Sequence, residues 1–174
     1  MASSIFAFKC SKCDELHEGS PSFGFAAPVP YTWLSEQERE EWAELTDDLC
    51  VIARPEGKQY FVRAILEVPI HGVEEPFLWG VWVSASEKSF HRYLDSYDNP
   101  PEDPIFFGWL CNRIGVYPTE NSRPADVHIQ SDGTRPLVVL HDVEGQEDAL
   151  VRDQREGISV ERAQQLAEQA MHGN

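Results

Sequence analysis

Apolar positions recur every second residue in several short runs of this chain and every third or fourth residue in others, which predicts strands and helices respectively. The most apolar run, Phe77-Leu-Trp-Gly-Val-Trp-Val-Ser-Ala-Ser86, carries no charge and has large residues on both faces: Phe77, Trp79, Val81 and Val83 on one, Leu78 and Trp82 on the other. Such a strand must be covered on both sides, so 77–86 is predicted as a central strand. Leu49-Cys-Val-Ile-Ala-Arg54 and the run from Tyr60 to Ile70 also alternate, with a tight turn at Pro55-Glu-Gly-Lys58 between them. The loop over 71–76 returns the chain, giving three antiparallel strands in the order 49–54, 60–70, 77–86. Segments 127–130 and 137–143 predict a second hairpin, and Ile5 to Lys9 a short opening strand.

Helix signals fall between these runs. Ser35-Glu-Gln-Glu38 is a capping box and predicts a helix near 35–47. Ser86 caps a helix over 87–97, whose Phe90, Tyr93, Leu94 and Tyr97 stripe is core packing. Asp103-Pro104 is expected to open a short helix over 105–112. Ser159 caps a last helix over 159–171, with Ala163, Leu166, Ala167 and Ala170 on its apolar side. Pro21, Pro28 and Pro30 make the arm before Tyr31 irregular, though Phe23 and Phe25 predict that it packs. Segment 115–125 reads as a long loop and 145–156 as a polar, mostly acidic stretch. The pattern predicts an α+β fold: one domain over 1–174, a central, mostly antiparallel sheet covered by helices, and residues 1–30 as a hook and arm packed on the body.

A chain of 174 residues has room for one core, and its 41% hydrophobic content with five Trp is that of a globular protein. Charge changes the picture more. With 30 acidic against 14 basic residues and a net charge of −16, the molecule repels nucleic-acid phosphates and anionic lipid headgroups. The expected partner is another protein, a basic one, with no nucleic acid and no membrane. The N-terminus has neither a basic segment ahead of an apolar run nor a run of bilayer length, so the expectation is a soluble, unexported protein of the cytoplasm. Four cysteines fit that reducing compartment better than a disulfide framework.

Candidate chemistry concentrates at Cys10-Ser-Lys-Cys13 with His17 four residues on. Two thiolates at this spacing grip one tetrahedral ion from a tight turn, so Cys10, Cys13 and His17 form part of a site for zinc or another thiophilic metal. A redox dithiol and ordinary surface thiols are the competing readings. The redox reading wants the motif at the start of a helix, whereas Asp14 to Glu18 runs into Gly19-Ser20-Pro21, a loop. A fourth ligand must come from afar, with Cys50, Cys111 and His91 as candidates. The second hairpin puts His128 and His141 on one face, on diagonal positions if its loop is long; with Asp142 they are a candidate proton-transfer group, against a plainer role as hydrogen-bonded core or rim residues. The sequence contains no phosphate-binding glycine loop, GxSxG or HExxH. The first functional expectation is therefore a non-catalytic protein-binding module with structural zinc at the hook. The alternative is a metal-dependent enzyme whose Cys10/Cys13/His17 site keeps an open position for water.

Seven landmarks taken together resemble a bacterial family known as domain of unknown function 2199: Cys10-x-x-Cys13-x-x-x-His17, Asp48 to Ile52, Phe77 to Ser86, Phe106 to Leu110, Tyr117-Pro-Thr119, Arg135-Pro136 and Gln154 to Ser159. The resemblance spans nearly the whole chain and implies a bacterial, cytoplasmic, single-domain protein without implying an activity. Two positions depart from the family pattern. Asp14 stands where the family tends to have glycine after the second cysteine, a turn that Asp tolerates in the left-handed region. Asp148-Ala149 stands where the family tends to have His-Pro, so no histidine role carries over there.

Overall fold

The computed structural model describes residues 6–173. In chain order the strands are β1 (Ala7–Lys9), β2 (Leu16–Glu18) and β3 (Ser22–Gly24), followed by helices α1 (Val29–Thr32) and α2 (Glu36–Trp42). Then come β4 (Ala43–Leu45), β5 (Leu49–Arg54), β6 (Gly57–Val68), β7 (Phe77–Ala85) and α3 (Glu87–Asp95). The chain finishes with β8 (Ile105–Trp109), β9 (Pro124–His128), β10 (Leu137–Leu140), α4 (Ala149–Glu156) and α5 (Val160–His172). Of the expected opening strand, Ile5 lies outside the described residues.

β7 is the central strand its composition predicts. It pairs antiparallel with β6 from Val68↔Phe77 to Tyr60↔Ala85, and parallel with β3 on its other edge. Its two faces feed two cores. Phe77, Trp79, Val81 and Val83 join the main cluster, while Trp82 packs with Cys50, Ile52, Phe61 and Leu34 on the far side. Trp82 is fully buried, and both of its N–H groups are satisfied: the amide donates to Asn112 Oδ1 at 2.7 Å and the indole to Phe25 O at 2.9 Å. Asn112 in turn donates to Ala27 O at 3.0 Å, so this one residue fastens the proline-rich arm to the sheet.

The main sheet is mixed and not mostly antiparallel. Its order is β3-β7-β6-β10-β9-β8, with β5 on β6 and β4 on β5. Two pairings are parallel, β3 with β7 and β10 with β6. The long β6 serves two neighbours along one edge: β5 over its first half and β10 at Ile65↔Leu137. Beyond that pair Gln154 of α4 takes over, accepting from Leu140 N at 2.8 Å and donating to Val138 O at 2.7 Å, which satisfies backbone groups no strand reaches.

Residues 105–109 form strand β8, where a helix over 105–112 is expected from sequence. Burial alternates with period two, Phe106 and Gly108 inward and Ile105, Phe107 and Trp109 outward, and Asp103 accepts from Ile105 N to cap a turn. A short apolar run does not distinguish the two periods; pairing with β9 decides between them. The sheet also curls. Leu110 bridges Val83, Cys111 N donates to Trp82 O at 2.8 Å and Trp109 N to Ser84 Oγ at 3.0 Å, so the end of β8 returns to β7. Gly108 allows this, because a Cβ there would lie 2.2 Å from Ser84 O.

The helix expected over 35–47 is shorter. Its capping box forms, with Glu38 N donating to Ser35 Oγ at 3.1 Å and Ser35 N to Glu38 Oε2 at 2.8 Å, a device that contributes about 1 kcal/mol. α2 buries no residue, however, and after Trp42 the chain peels off as β4 to pair Ala43 with Ile52 and Leu45 with Cys50. The acidic stretch over 145–156 holds a helix, α4, capped by Asp148, whose Oδ1 accepts from Leu150 N at 3.0 Å.

Candidate functional site

The hook is a hairpin. β1 and β2 pair with Phe8 opposite His17, and Cys10 to Glu15 form the turn between them. Cys10 N donates to Glu15 O at 2.9 Å and Asp14 N to Cys10 O at 3.0 Å, while Asp14 sits at φ 60° in the left-handed region that the turn demands. Lys12 N points at Cys10 Sγ, 3.5 Å away. Burial works against the Cys10 thiolate, but the Cys13 and Lys12 amides and the Cys13 thiol outweigh it and hold this thiol below its usual range.

Donor atoms gather at this turn in two overlapping groups. Cys10, Cys13 and His172 lie with one ligand atom each within 4.8 Å of one another, as do Cys13, Glu15 and His17. Cys13 belongs to both. His172 Nε2 is 3.2 Å from Cys10 Sγ, and His17 Nε2 is 3.6 Å from Cys13 Sγ. The Phe8 ring lies against the His17 imidazole with centroids 5.2 Å apart.

His172 comes from the far end of the chain, and α5 is tied to the hook by more than this residue. Glu168 accepts from Ser11 N and Ser11 Oγ, both at 2.8 Å, Gln164 Nε2 reaches Lys9 O at 3.5 Å, and Lys12 Nζ donates to Gly173 O at 3.1 Å. Gln164, Glu168 and His172 follow at i, i+4 and i+8 on one face of the helix. That polar stripe is visible in the sequence, but nothing in it names the hook as its partner.

The three residues expected to supply a fourth ligand are elsewhere. Cys50 is fully buried in the Trp82 cluster, where burial pushes its thiol up to about 12. Cys111 lines a cleft of about 720 Å³ with Trp33, Tyr117 and Arg123, and burial pushes it up to about 11. His91 pairs with Glu87 on α3 at 3.9 Å. Cys50 is held in β5, Cys111 by its hydrogen bond to Trp82 O and His91 on α3, and among the described residues it is α5 that brings a further imidazole to the hook.

The proposed proton-transfer group also separates. His128 and His141 share a face, but the register Leu137↔His128 and Val139↔Asp126 puts them four residues apart along the ladder, about 14 Å, and not on a diagonal. His141 Nε2 instead meets Asp126 at 2.9 Å, and Asp142 meets Arg155 at 2.9 Å. The cleft beside His141 has a volume of about 10 Å³, too small for a substrate.

The same outer face of the sheet carries exposed apolar residues in adjacent registers: Ile105, Phe107 and Trp109 on β8 and Val139 on β10, 38%, 48%, 44% and 46% exposed. Phe107 packs edge-on against Trp109 at 5.4 Å, and Asp126 lies between Phe107 and Val139 in the ladder. In the large cleft, Arg123 is committed to Asp148 at 2.7 Å and to Tyr117 O at 2.9 Å, and the Tyr117 phenol donates to the buried Asp153 at 2.6 Å. Asp148, where the sequence departs from the resembling family, is thus the partner of a buried arginine.

These features define a single-domain, mixed α/β protein with a cysteine- and histidine-bearing turn near its N-terminus. Residues 9–158 match the model of DUF2199, a family described as an uncharacterized protein conserved in bacteria, and the chain belongs to that family. No curated protein and no solved structure matches it. No helix among the described residues is long and apolar enough to cross a membrane.

Proposed function

We propose that this protein is a non-catalytic, acidic protein-binding module whose partner is a basic protein and whose Cys10/Cys13/His17 hook holds a metal for structural purposes. The observation that carries the reading is the exposed row of Ile105, Phe107 and Trp109 along β8, with Val139 on the same sheet face two strands away across Asp126. Contiguous exposed apolar residues mark interaction sites, and aromatic side chains serve as interface anchors. The net charge of −16 favours encounter with a basic protein and disfavours nucleic acid and anionic membranes. An immunity- or antitoxin-like role against a basic toxin is the form this reading takes, with the cytoplasm, where the free cysteines stay reduced, as its compartment. The competing enzyme reading needs an open position on the metal, and the imidazole of His172 beside Cys10 argues against one.

The test is a photo-crosslinking residue placed at Val139 in the native bacterium. The expected result is an adduct with a discrete basic protein that disappears in a Phe107→Ser, Trp109→Ser variant of unchanged circular dichroism. An adduct that survives those substitutions, or no adduct, refutes the assignment of this face.

A further inference from the structure

We infer that His172 completes a closed, four-coordinate zinc site with Cys10, Cys13 and His17, and that the ion clasps the end of α5 onto the turn between β1 and β2. The inference rests on reading the hook as a metal site and is independent of the protein-binding face. Thiolate and imidazole donors in equal number favour tetrahedral zinc, with Zn–S near 2.3 Å and Zn–N near 2.0–2.1 Å. Donor atoms around such an ion lie roughly 3.3–3.8 Å apart. The Cys10–His172 and Cys13–His17 separations, 3.2 and 3.6 Å, are close to that spacing; Cys13 belongs to both groups, whereas His17 is grouped with Cys13 and Glu15 and not with Cys10 and His172, so its imidazole must swing toward Cys10 as the ion binds.

The surroundings are those of a site built for an ion. The left-handed Asp14 and the Asp14 N to Cys10 O bond hold both thiols on one side of the turn, and the Lys12 amide faces a sulfur that would carry negative charge. The bonds from Ser11 and Lys12 to Glu168 and Gly173 bring α5 to the turn without help from an ion, so His172 is delivered to the thiols by the fold itself. Glu15 is the rival for the fourth position, since its carboxylate falls in the group with Cys13 and His17. A carboxylate is the harder donor, and the three contacts that anchor α5 place the imidazole. Binding displaces the two thiol protons to solvent and leaves two thiolates and two neutral imidazoles around the ion, with no position for water. His172 lies beyond residues 9–158, so the clasp joins the family core to a helix outside the matched region.

The experiment uses the full chain, purified without added metal, assayed for zinc and then exchanged with Co²⁺. The expected wild-type result is one zinc per chain and the intense visible absorption of tetrahedral cobalt with thiolate charge transfer. His172→Ala should weaken zinc binding roughly 100-fold and shift the cobalt spectrum toward higher coordination as water enters. His172→Cys should keep the tetrahedral spectrum and add charge-transfer intensity, while Glu15→Gln should change neither. If His172→Ala leaves affinity and spectrum unchanged, or Glu15→Gln produces the loss instead, the assignment of His172 is overturned while the metal hook survives. If the wild type takes up no zinc or cobalt, the hook reading falls and this inference with it.

Discussion

Replacing Gly108 with alanine tests the return of β8 to β7. A Cβ at this position would lie 2.2 Å from the Ser84 carbonyl oxygen and 3.4 Å from the Ser84 carbonyl carbon. Ordinary contact begins roughly 1 Å farther out. The obstacle is main chain, so no rotamer change relieves it and β8 must withdraw. Withdrawal strains the Trp109 N to Ser84 Oγ and Cys111 N to Trp82 O hydrogen bonds, 3.0 and 2.8 Å long, beside the Val83–Leu110 bridge. Overpacking costs about 1–3 kcal/mol and each weakened hydrogen bond about 1 kcal/mol, which sums to roughly 3–5 kcal/mol. In a chain of this size each kcal/mol moves the melting temperature by about 2–4 °C, so the expected fall is on the order of 10 °C. Calorimetry on Gly108→Ala beside Gly115→Ala makes the comparison specific, because a Cβ at Gly115 meets nothing within 4 Å. Melting of Gly108→Ala within about 2 °C of wild type would show that the two strands are not held at this distance.

Three further substitutions probe the buried charged groups. Asp153 is 5% exposed and accepts from Tyr117 Oη at 2.6 Å and Arg162 Nε at 2.8 Å. Arg162→Met leaves that carboxylate with the phenol as its remaining partner and should cost about 2–3 kcal/mol in urea unfolding, discounted because Arg162 is partly exposed; Tyr117→Phe should cost about 1–2 kcal/mol, and the reverse ranking would contradict the argument. Burial opposes the charged form of Asp148, but the hydrogen bonds and charge of Arg123 outweigh it and hold its pKa below the usual carboxylate value. Its stabilising contribution is therefore complete above its unfolded pKa of about 3.9 and is lost as pH falls through the lower folded value. Asp148→Asn should flatten the acid limb of a stability–pH curve without abolishing it, since hydrogen bonds from Thr134 and Ser11 also depress Asp132 and Glu168; superimposable limbs would remove Asp148 from the account.

Much of the fold is legible because it depends on neighbours in sequence. Caps at Ser35, Ser86 and Ser159 need only the next three residues, and all three form. The left-handed turn at Asp14, φ 60°, is closed by local backbone bonds between Cys10 and residues 14 and 15. Several family landmarks also acquire a physical role: Arg135 pairs with Asp48 at 2.7 Å, Gln154 supplies the bonds that complete the β10 edge, and Gly157, at φ 78°, leaves room where a Cβ would meet the His71 ring at 2.8 Å.

What the amino-acid order determined by itself is the local conformation and the need for burial. A strand as apolar on both faces as 77–85 must be central, and Trp79 and Trp82 on opposite faces require two layers of packing, which the two clusters supply. Which distant segments meet is settled by long-range pairing. Residues 105–109 become a strand because β9 offers a ladder, two parallel pairings turn an expected antiparallel sheet into a mixed one, and His141 takes Asp126 through the β10 register. The hook shows the division most clearly. Cys13 and His17 are close because they are close in sequence, whereas His172, 162 residues beyond Cys10, arrives on α5 by contacts that no local spacing encodes.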